Sequence, residues 1–245
     1  MDEGLLLSFE RFEREHWWFV VRRRIVLDAV AACAPTECAH ILEVGCGTGG
    51  LLRELRRVIP HAQLSGVEPS TGAAAVARRF GCTVHEAVFE NLPAEQESVD
   101  LLLALDVLEH CPDDRIAAAE AYRVLRPGGL FIATVPALPA LWGPHDEINE
   151  HQRRYMRTTL RRPLEQAGLV IDRVTYFNTL LLPIGYAGRA LARLTRSTRG
   201  TGVELPSRAL NVTLRGIFGL EVPMLRHVNL PVGMSLLCIA RKPTE

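Results

Sequence analysis

His40-Ile41-Leu42-Glu43-Val44-Gly45-Cys46-Gly47-Thr48-Gly49-Gly50 is an apolar run that breaks into glycines, and Leu51-Leu52-Arg53-Glu54-Leu55 follows it. The apolar part predicts a buried β-strand with Glu43 near its end, and the leucine-rich part predicts the opening of a helix. Glycines between the two make a turn in which backbone approaches a ligand with no Cβ atoms in the way. The turn also presents helix-terminal N–H groups to whatever lies there. Eighteen residues after Gly50, Leu64-Ser65-Gly66-Val67-Glu68 predicts a second strand end. Its carboxylate is placed to accept hydrogen bonds from both hydroxyls of a ribose. Strand, glycine turn, helix and trailing acid together predict a site for a nucleoside cofactor.

Two cofactor classes compete for that site. Gly45, Gly47 and Gly50 satisfy the dinucleotide pattern G-x-G-x-x-G, so a dinucleotide-dependent oxidoreductase is one alternative. Glu43 with the alternating set Gly45, Gly47 and Gly49 spells Glu-x-Gly-x-Gly-x-Gly and favours S-adenosylmethionine instead. A dinucleotide needs the helix N-terminus for its pyrophosphate. S-adenosylmethionine has no phosphate but carries an ammonium and a sulfonium, for which a carboxylate beside the turn makes physical sense.

At this point the chain resembles the class I S-adenosylmethionine-dependent methyltransferases over about residues 15–177. Beyond Glu43 to Gly49, the resemblance rests on Val67-Glu68-Pro69-Ser70 and on Phe89-Glu90-Asn91-Leu92-Pro93. It continues through Val99 to His110 and closes with Val124-Leu125-Arg126-Pro127-Gly128-Gly129-Leu130-Phe131-Ile132. The family implies an α/β fold: a Rossmann-like, doubly wound, seven-stranded sheet, mostly parallel with an antiparallel last strand, plus a helical cap. It implies a cofactor site of Glu43, Gly45, Cys46, Gly47, Gly49, Glu68, Pro69, Glu90, Asn91, Leu92, Leu105, Asp106 and His110. In that site Glu68 bridges the ribose, Glu90-Asn91-Leu92 flanks the adenine and the glycine turn faces the methionine part.

Composition fits one α/β domain with an elaborated cap. Among 245 residues, lysine plus arginine number 28 and aspartate plus glutamate 28, so no global field favours nucleic acid. Ala104-Leu105-Asp106-Val107 stands where nucleic-acid amino-methylating enzymes of this fold carry Asn/Asp-Pro-Pro-aromatic, which also disfavours such a partner. The six cysteines are scattered, with no C-x-x-C pair, and read as reduced in a cytoplasmic protein. The N-terminus is acidic and aromatic, unlike a signal peptide. No uncharged apolar stretch approaches the roughly 20 residues needed to span a bilayer.

Along the chain, strands are expected at 82–87, 99–105, 130–135, 169–177 and 235–241, and helices at 71–80, 113–125 and 158–167. Alternation of the two predicts a mainly parallel sheet covered on both faces. Four segments follow: an N-terminal helical cap (1–37), the cofactor-binding core (38–177), a cap insert (178–232), and the last strand with its tail (233–245). The insert carries Arg189, Arg193, Arg196, Arg199, Arg208, Arg215 and Arg226 against only Glu204 and Glu221. It reads as a lid with a solvated basic edge; contact with an anionic membrane surface, or a pocket for a phosphorylated or acidic substrate, is the less favoured alternative. Oligomeric state is left open.

The N-terminal cap crowds Phe9, Phe12, Trp17, Trp18 and Phe19 ahead of Arg22-Arg23-Arg24. His-Trp-Trp followed by a basic run resembles a bacterial small-molecule branch of the same family, which makes Trp17, Trp18 and Arg22 candidates for contact with the acceptor. Just past the fifth strand, Trp142 to His151 precedes Arg153-Arg154-Tyr155. Loops at the carboxyl ends of strands face the crevice of an open sheet, so this segment is placed to meet a methyl acceptor. His145 and His151 are the candidate bases, their acidic neighbours raising their basicity; Tyr155 is a candidate substrate contact. A metal on His145, Asp146 and His151 matches no known ligand spacing, so no metal is assigned. The expected reaction is O-methylation of a small molecule, with N-, C- or S-methylation of a small or lipid-like molecule as the alternative.

Overall fold

The computed structural model describes residues 10–34, 38–195 and 205–244; within 189–195 it describes the backbone alone. Seven strands form one sheet in the order β3-β2-β1-β4-β5-β7-β6. They are β1 (His40–Val44), β2 (Gln63–Val67), β3 (Thr83–His85), β4 (Val99–Leu105), β5 (Leu125–Pro136), β6 (Val170–Phe177) and β7 (Ser235–Arg241). The first five run parallel, and β7 lies antiparallel between β5 and β6. Every residue of β4 is buried, as expected of a central strand covered on both faces. Asp100 anchors the entrance to the sheet: one carboxylate oxygen accepts the amides of Ala39 (2.8 Å) and His40 (2.7 Å).

Helices fill the crossovers: α1 (Trp17–Cys33) before β1, α2 (Gly50–Val58), α3 (Thr71–Arg78), α4 (Asp114–Val124), the short α5 (Pro144–Ile148) and α6 (Arg157–Gln166). Asp113 caps α4 by accepting the Arg115 amide, and Gly168, at φ 98°, ends α6. Between β6 and β7 come α7 (Leu182–Thr195), α8 (Arg208–Gly219) and α9 (Glu221–Leu225).

Two boundaries differ from the sequence reading for identifiable reasons. β5 begins at Leu125, not Leu130, because Leu125 pairs with Val99 of β4 across a register shift and Lys242 carries the β7 pairing on to Gly128 and Gly129. Gly128 donates to the Lys242 carbonyl (2.9 Å) and Lys242 donates back to Gly129 (3.0 Å). β3 shrinks to three residues, as suits an edge strand with one neighbour. The remaining differences are one or two residues at element ends.

The parallel register sets up the crevice. Val44 lies level with Val67 on one side and Ala104 on the other, so β1, β2 and β4 end together. β5 ends beside them, Leu105 level with Thr134. Over this edge pack α1 and the insert helices. Trp18 stacks on Phe177 (5.7 Å) and Phe218 (5.5 Å), Trp17 meets Phe218 edge-on, and Arg226 pairs with Asp28 at 2.7 Å.

Candidate active site at the carboxyl edge of the sheet

The half of the crevice above β1 and β2 is made mostly of backbone. Gly45 (φ 66°), Gly47 (φ 52°) and Gly49 (φ 80°) all lie in the left-handed region that side chains rarely adopt. A Cβ on Gly45 would sit 2.5 Å from a Val107 methyl, so the loop after β4 closes directly on the turn. Glu68 braces it, one oxygen accepting the Gly47 amide and the other the Ser70 amide, both at 2.9 Å. Glu43 is buried, with one carboxylate oxygen lacking a partner. Burial pushes its pKa up to about 8, against the pull of Arg22.

The N-terminal segment closes over the same turn, a contact invisible in the sequence. Thr48 donates its hydroxyl to Glu13, whose other oxygen comes within 2.6 Å of where a Gly47 Cβ would be. Arg23 holds the Glu13 carbonyl (2.7 Å), and burial raises the Glu13 carboxyl above its ordinary range. Arg22 pairs with Asp106, which sits at φ 57° and accepts the Thr134 hydroxyl at 3.0 Å. Along the crevice, Glu120 accepts the Leu92 amide and Arg123 donates to the Leu92 carbonyl, both at 2.9 Å, fixing the 89–94 loop. Leu92, Leu105 and Cys46 are buried, Glu90 is half-buried, and Asn91 and Pro69 are exposed.

These residues discriminate between the two cofactor classes. Two of the three acids around the turn, Glu13 and Glu43, have raised pKa values, and a pyrophosphate would bring more negative charge to a place where burial already disfavours it. A ligand with an ammonium and a sulfonium instead supplies the positive charge that the unpartnered Glu43 oxygen lacks. The turn therefore fits S-adenosylmethionine.

The other half, above β4 and β5, is a network of side chains. Asp146 is fully buried and accepts the Gly143 amide (2.9 Å), the Arg154 guanidinium (2.8 Å) and His151 Nδ1 (2.9 Å). Burial works against its charge, but His151, Arg154 and the Gly143 amide hold its pKa at about 2. Arg154 also donates to the Ala137 carbonyl at 3.0 Å, tying the loop back to the strand. The His151 ring stands edge-on to His110 (centroids 4.8 Å apart) and to His145 (6.0 Å). Asn149 donates to the His145 carbonyl at 2.7 Å. Burial, and next the charge of His151, lower the His110 pKa. Glu109 lies beneath them, fully buried, with neither carboxylate oxygen hydrogen-bonded. Burial, reinforced by Asp106, raises its pKa well above the ordinary carboxylate range.

Several expectations change here. Tyr155 does not reach the acceptor side. It is 1% exposed, and its hydroxyl lies 3.2 Å from the Leu108 carbonyl and 3.0 Å from Asp114, inside the core. Burial drives its pKa upward, so it is no base either. Trp17 and Trp18 spend their rings on Phe177 and Phe218, joining α1 to the insert and to β6. The considered metal set of His145, Asp146 and His151 does not converge, because Asp146 is saturated by Gly143, Arg154 and His151. Glu109 was missed, although an acid inside the run Leu105-Asp106-Val107-Leu108-Glu109 is itself a signal. Arg196 and Arg199 lie outside the described residues, as do the side chains of Arg189 and Arg193. Arg226 is taken by Asp28.

Residues 42–133, which contain the glycine turn and the β4 loop, match the model of a methyltransferase domain. A Mycolicibacterium smegmatis protein, named "Probable S-adenosylmethionine-dependent methyltransferase", is 31% identical over 183 residues, covering 70% of this chain and 68% of that one. The chain belongs to the S-adenosylmethionine-dependent methyltransferases. S-adenosylmethionine is accordingly its cofactor. The ubiquinone biosynthesis O-methyltransferase of Xanthomonas oryzae pv. oryzae is 34% identical over 122 residues, 46% of this chain and 50% of that one. The chain thus spans about half the length of that relative. Among solved structures, an S-adenosylmethionine-dependent methyltransferase from Mesorhizobium loti superposes with a TM-score of 0.58 at 20% identity. It covers 89% of this methyltransferase and 97% of its own chain, and shows that the fold is shared. Among the described residues, no helix is long and apolar enough to cross a membrane.

Proposed function

We propose that this methyltransferase acts on the oxygen of a small, amphipathic acceptor, held between the two halves of the crevice. The observation that carries the reading is the Asp146–His151 pair, buried at one end and adjoining His110 and His145 at the other. An acid fixed on Nδ1 sets the imidazole's tautomer and orientation and leaves Nε2 to accept a proton. A hydroxyl acceptor must lose one; a neutral amine need not do so before attack. Relatives named as ubiquinone and malonyl-acyl-carrier-protein O-methyltransferases support oxygen as the target.

S-adenosylmethionine supplies a methyl group activated by the positive sulfur. The chain's part is to hold it. In this reading Glu68 takes the ribose hydroxyls, Glu90, Asn91 and Leu92 flank the adenine, and Glu43 with Gly45 to Gly49 faces the methionine end. Leu105, Asp106 and His110 border the methyl, and Arg22 keeps Asp106 in place. With both partners fixed, most of the rate enhancement comes from alignment. Residues 1–37 and 178–232 act as the cap that excludes water from the sulfonium.

The amphipathic class is supported by a cleft of about 530 Å³ lined by Leu138, Leu141, Leu182, Pro183, Tyr186 and Ala187. Its β5-side wall runs on along the chain through Trp142 to His145. An apolar tail lying there leaves the acceptor's polar head at the histidines. The test is methyl transfer from methyl-labelled S-adenosylmethionine to phenols and carboxylic acids bearing alkyl tails of graded length, with amines and thiols as competitors. Labelled ether or ester, with kcat/KM rising with tail length, is expected. Label appearing only on nitrogen or sulfur would replace the reading.

A further inference from the structure

Among the described residues, Glu109 is a fully buried acid whose two oxygens are both left without a partner, and the neighbouring cations are already committed. Arg22 pairs with Asp106, and Arg154 pairs with Asp146 and the Ala137 carbonyl. A buried carboxylate with no donor needs a proton or a cation. The groups beside it are two imidazoles, and one ligand atom from each of Glu109, His110 and His151 lies within 4.8 Å of the others. The Gln152 amide, donating to the Glu109 carbonyl at 2.7 Å, fastens the two loops that bring them together.

We propose that Glu109, His110 and His151 form a binding site for one divalent transition-metal ion. Three features beyond convergence support it. Asp146 holds His151 through Nδ1, leaving Nε2 for an ion, which is the outer-shell arrangement found behind metal-bound histidines. Two imidazoles and one carboxylate form the donor set that suits zinc and its first-row neighbours rather than magnesium or calcium. His110 is exposed, so the site is reachable from solvent and keeps coordination positions for a ligand from outside. Metal–ligand bonds of about 2.0–2.2 Å allow ligand separations up to roughly 4.4 Å, so small side-chain shifts close the site.

The inference rests on the acceptor-side reading for its role and refines it. An ion here holds the acceptor oxygen and lowers its pKa. An ion-bound hydroxyl gives up its proton more readily, so His151 promotes the same ionisation through the ion.

The binding test needs neither cofactor nor acceptor. The chelator-treated 245-residue protein is dialysed against Zn²⁺ and the bound metal counted, with Co²⁺ as a spectroscopic probe of ligation. One ion per chain is expected, with affinity reduced at least tenfold in Glu109→Gln and in His110→Ala. The exposed ring of His110 makes the second variant safe for folding, and a wild-type-like cooperative thermal unfolding transition checks this. His61→Ala, an exposed histidine elsewhere, should bind as the wild type does. Equal Zn²⁺ binding by wild type, His110→Ala and His151→Ala overturns the site, as does a wild type that binds none. O-methylation without metal binding breaks only this inference; metal binding with transfer to nitrogen breaks only the proposed function.

Discussion

The two halves of the crevice are built by opposite means. Above β1 and β2 the lining is main chain: glycines at positive φ, amides turned onto Glu68, a strand end level with its neighbours. Above β4 and β5 it is side chains, with Asp146, Arg154, His151, His110 and Glu109 arranged by one another. A cofactor that never changes can be met by a fixed backbone. An acceptor that differs between relatives needs parts that substitution can alter without disturbing the sheet. The contrast predicts that damage to the second half falls on turnover and damage to the first falls on cofactor affinity.

The largest effect is expected at His151. His151→Ala should lower kcat by about 10²–10⁴-fold while S-adenosylhomocysteine affinity moves less than about twofold. A comparable loss of cofactor affinity would mean that the halves are not separable. On the other side, Glu68→Ala removes a charged acceptor whose hydrogen bonds are each worth about 1.5–3 kcal/mol. Calorimetric titration with S-adenosylhomocysteine should show at least a tenfold weaker Kd in a folded protein. An unchanged Kd would place the ribose elsewhere.

The same contrast explains what reading the residues alone reaches. The glycine turn was legible because φ above zero excludes most residues, so local chemistry and local geometry determine each other. β4 was legible to the residue because a strand buried on both faces reads as a near-continuous apolar run, here broken only by Asp100, whose carboxylate is taken up by the Ala39 and His40 amides. The acceptor half was legible only as a neighbourhood. His145 and His151 could be placed near the crevice from chain order, but Asp146 turned out to be a buried anchor and Tyr155 a core residue. Which side of a loop faces inward depends on distant packing, here on the Ala137 carbonyl and the Leu108 carbonyl. Glu13 was illegible altogether, since nothing local records a contact with Thr48, 35 residues away.

A third prediction concerns the cap that bridges both halves. Trp18→Ala removes a ring stacked on Phe177 and Phe218, and for a half-buried tryptophan about 2–4 kcal/mol of unfolding free energy should be lost. Urea unfolding measures it; a loss below about 0.5 kcal/mol, the size of an ordinary surface change, would show that cap and core are uncoupled.

A fourth prediction is a pH dependence at Glu43. Its folded pKa, about 8, lies above the unfolded value, so the unfolded chain gives up a proton that the folded one keeps. Its contribution to stability is complete at pH below the unfolded value of 4.5 and is lost as pH rises through about 8. Between pH 5 and 8 the wild type's melting temperature should therefore fall further than that of Glu43→Gln. Identical slopes would mean that Glu43 is ionised in the folded protein. A bound cation reverses the preference, so S-adenosylmethionine should flatten the wild-type slope.

The contact between Glu13 and Thr48 bears on timing. The Glu13 carboxyl lies against Gly47, and Arg23 clasps its backbone from behind. With the methionine end of the cofactor on the glycine turn, as proposed, Glu13 would act as a doorstop that has to lift at each exchange of spent donor for fresh. Rapid-mixing traces should show binding whose rate levels off at high donor concentration, the plateau marking the doorstop's own rhythm. Glu13→Ala should raise that plateau, whereas a rate that climbs in proportion to concentration without limit would show the passage already open.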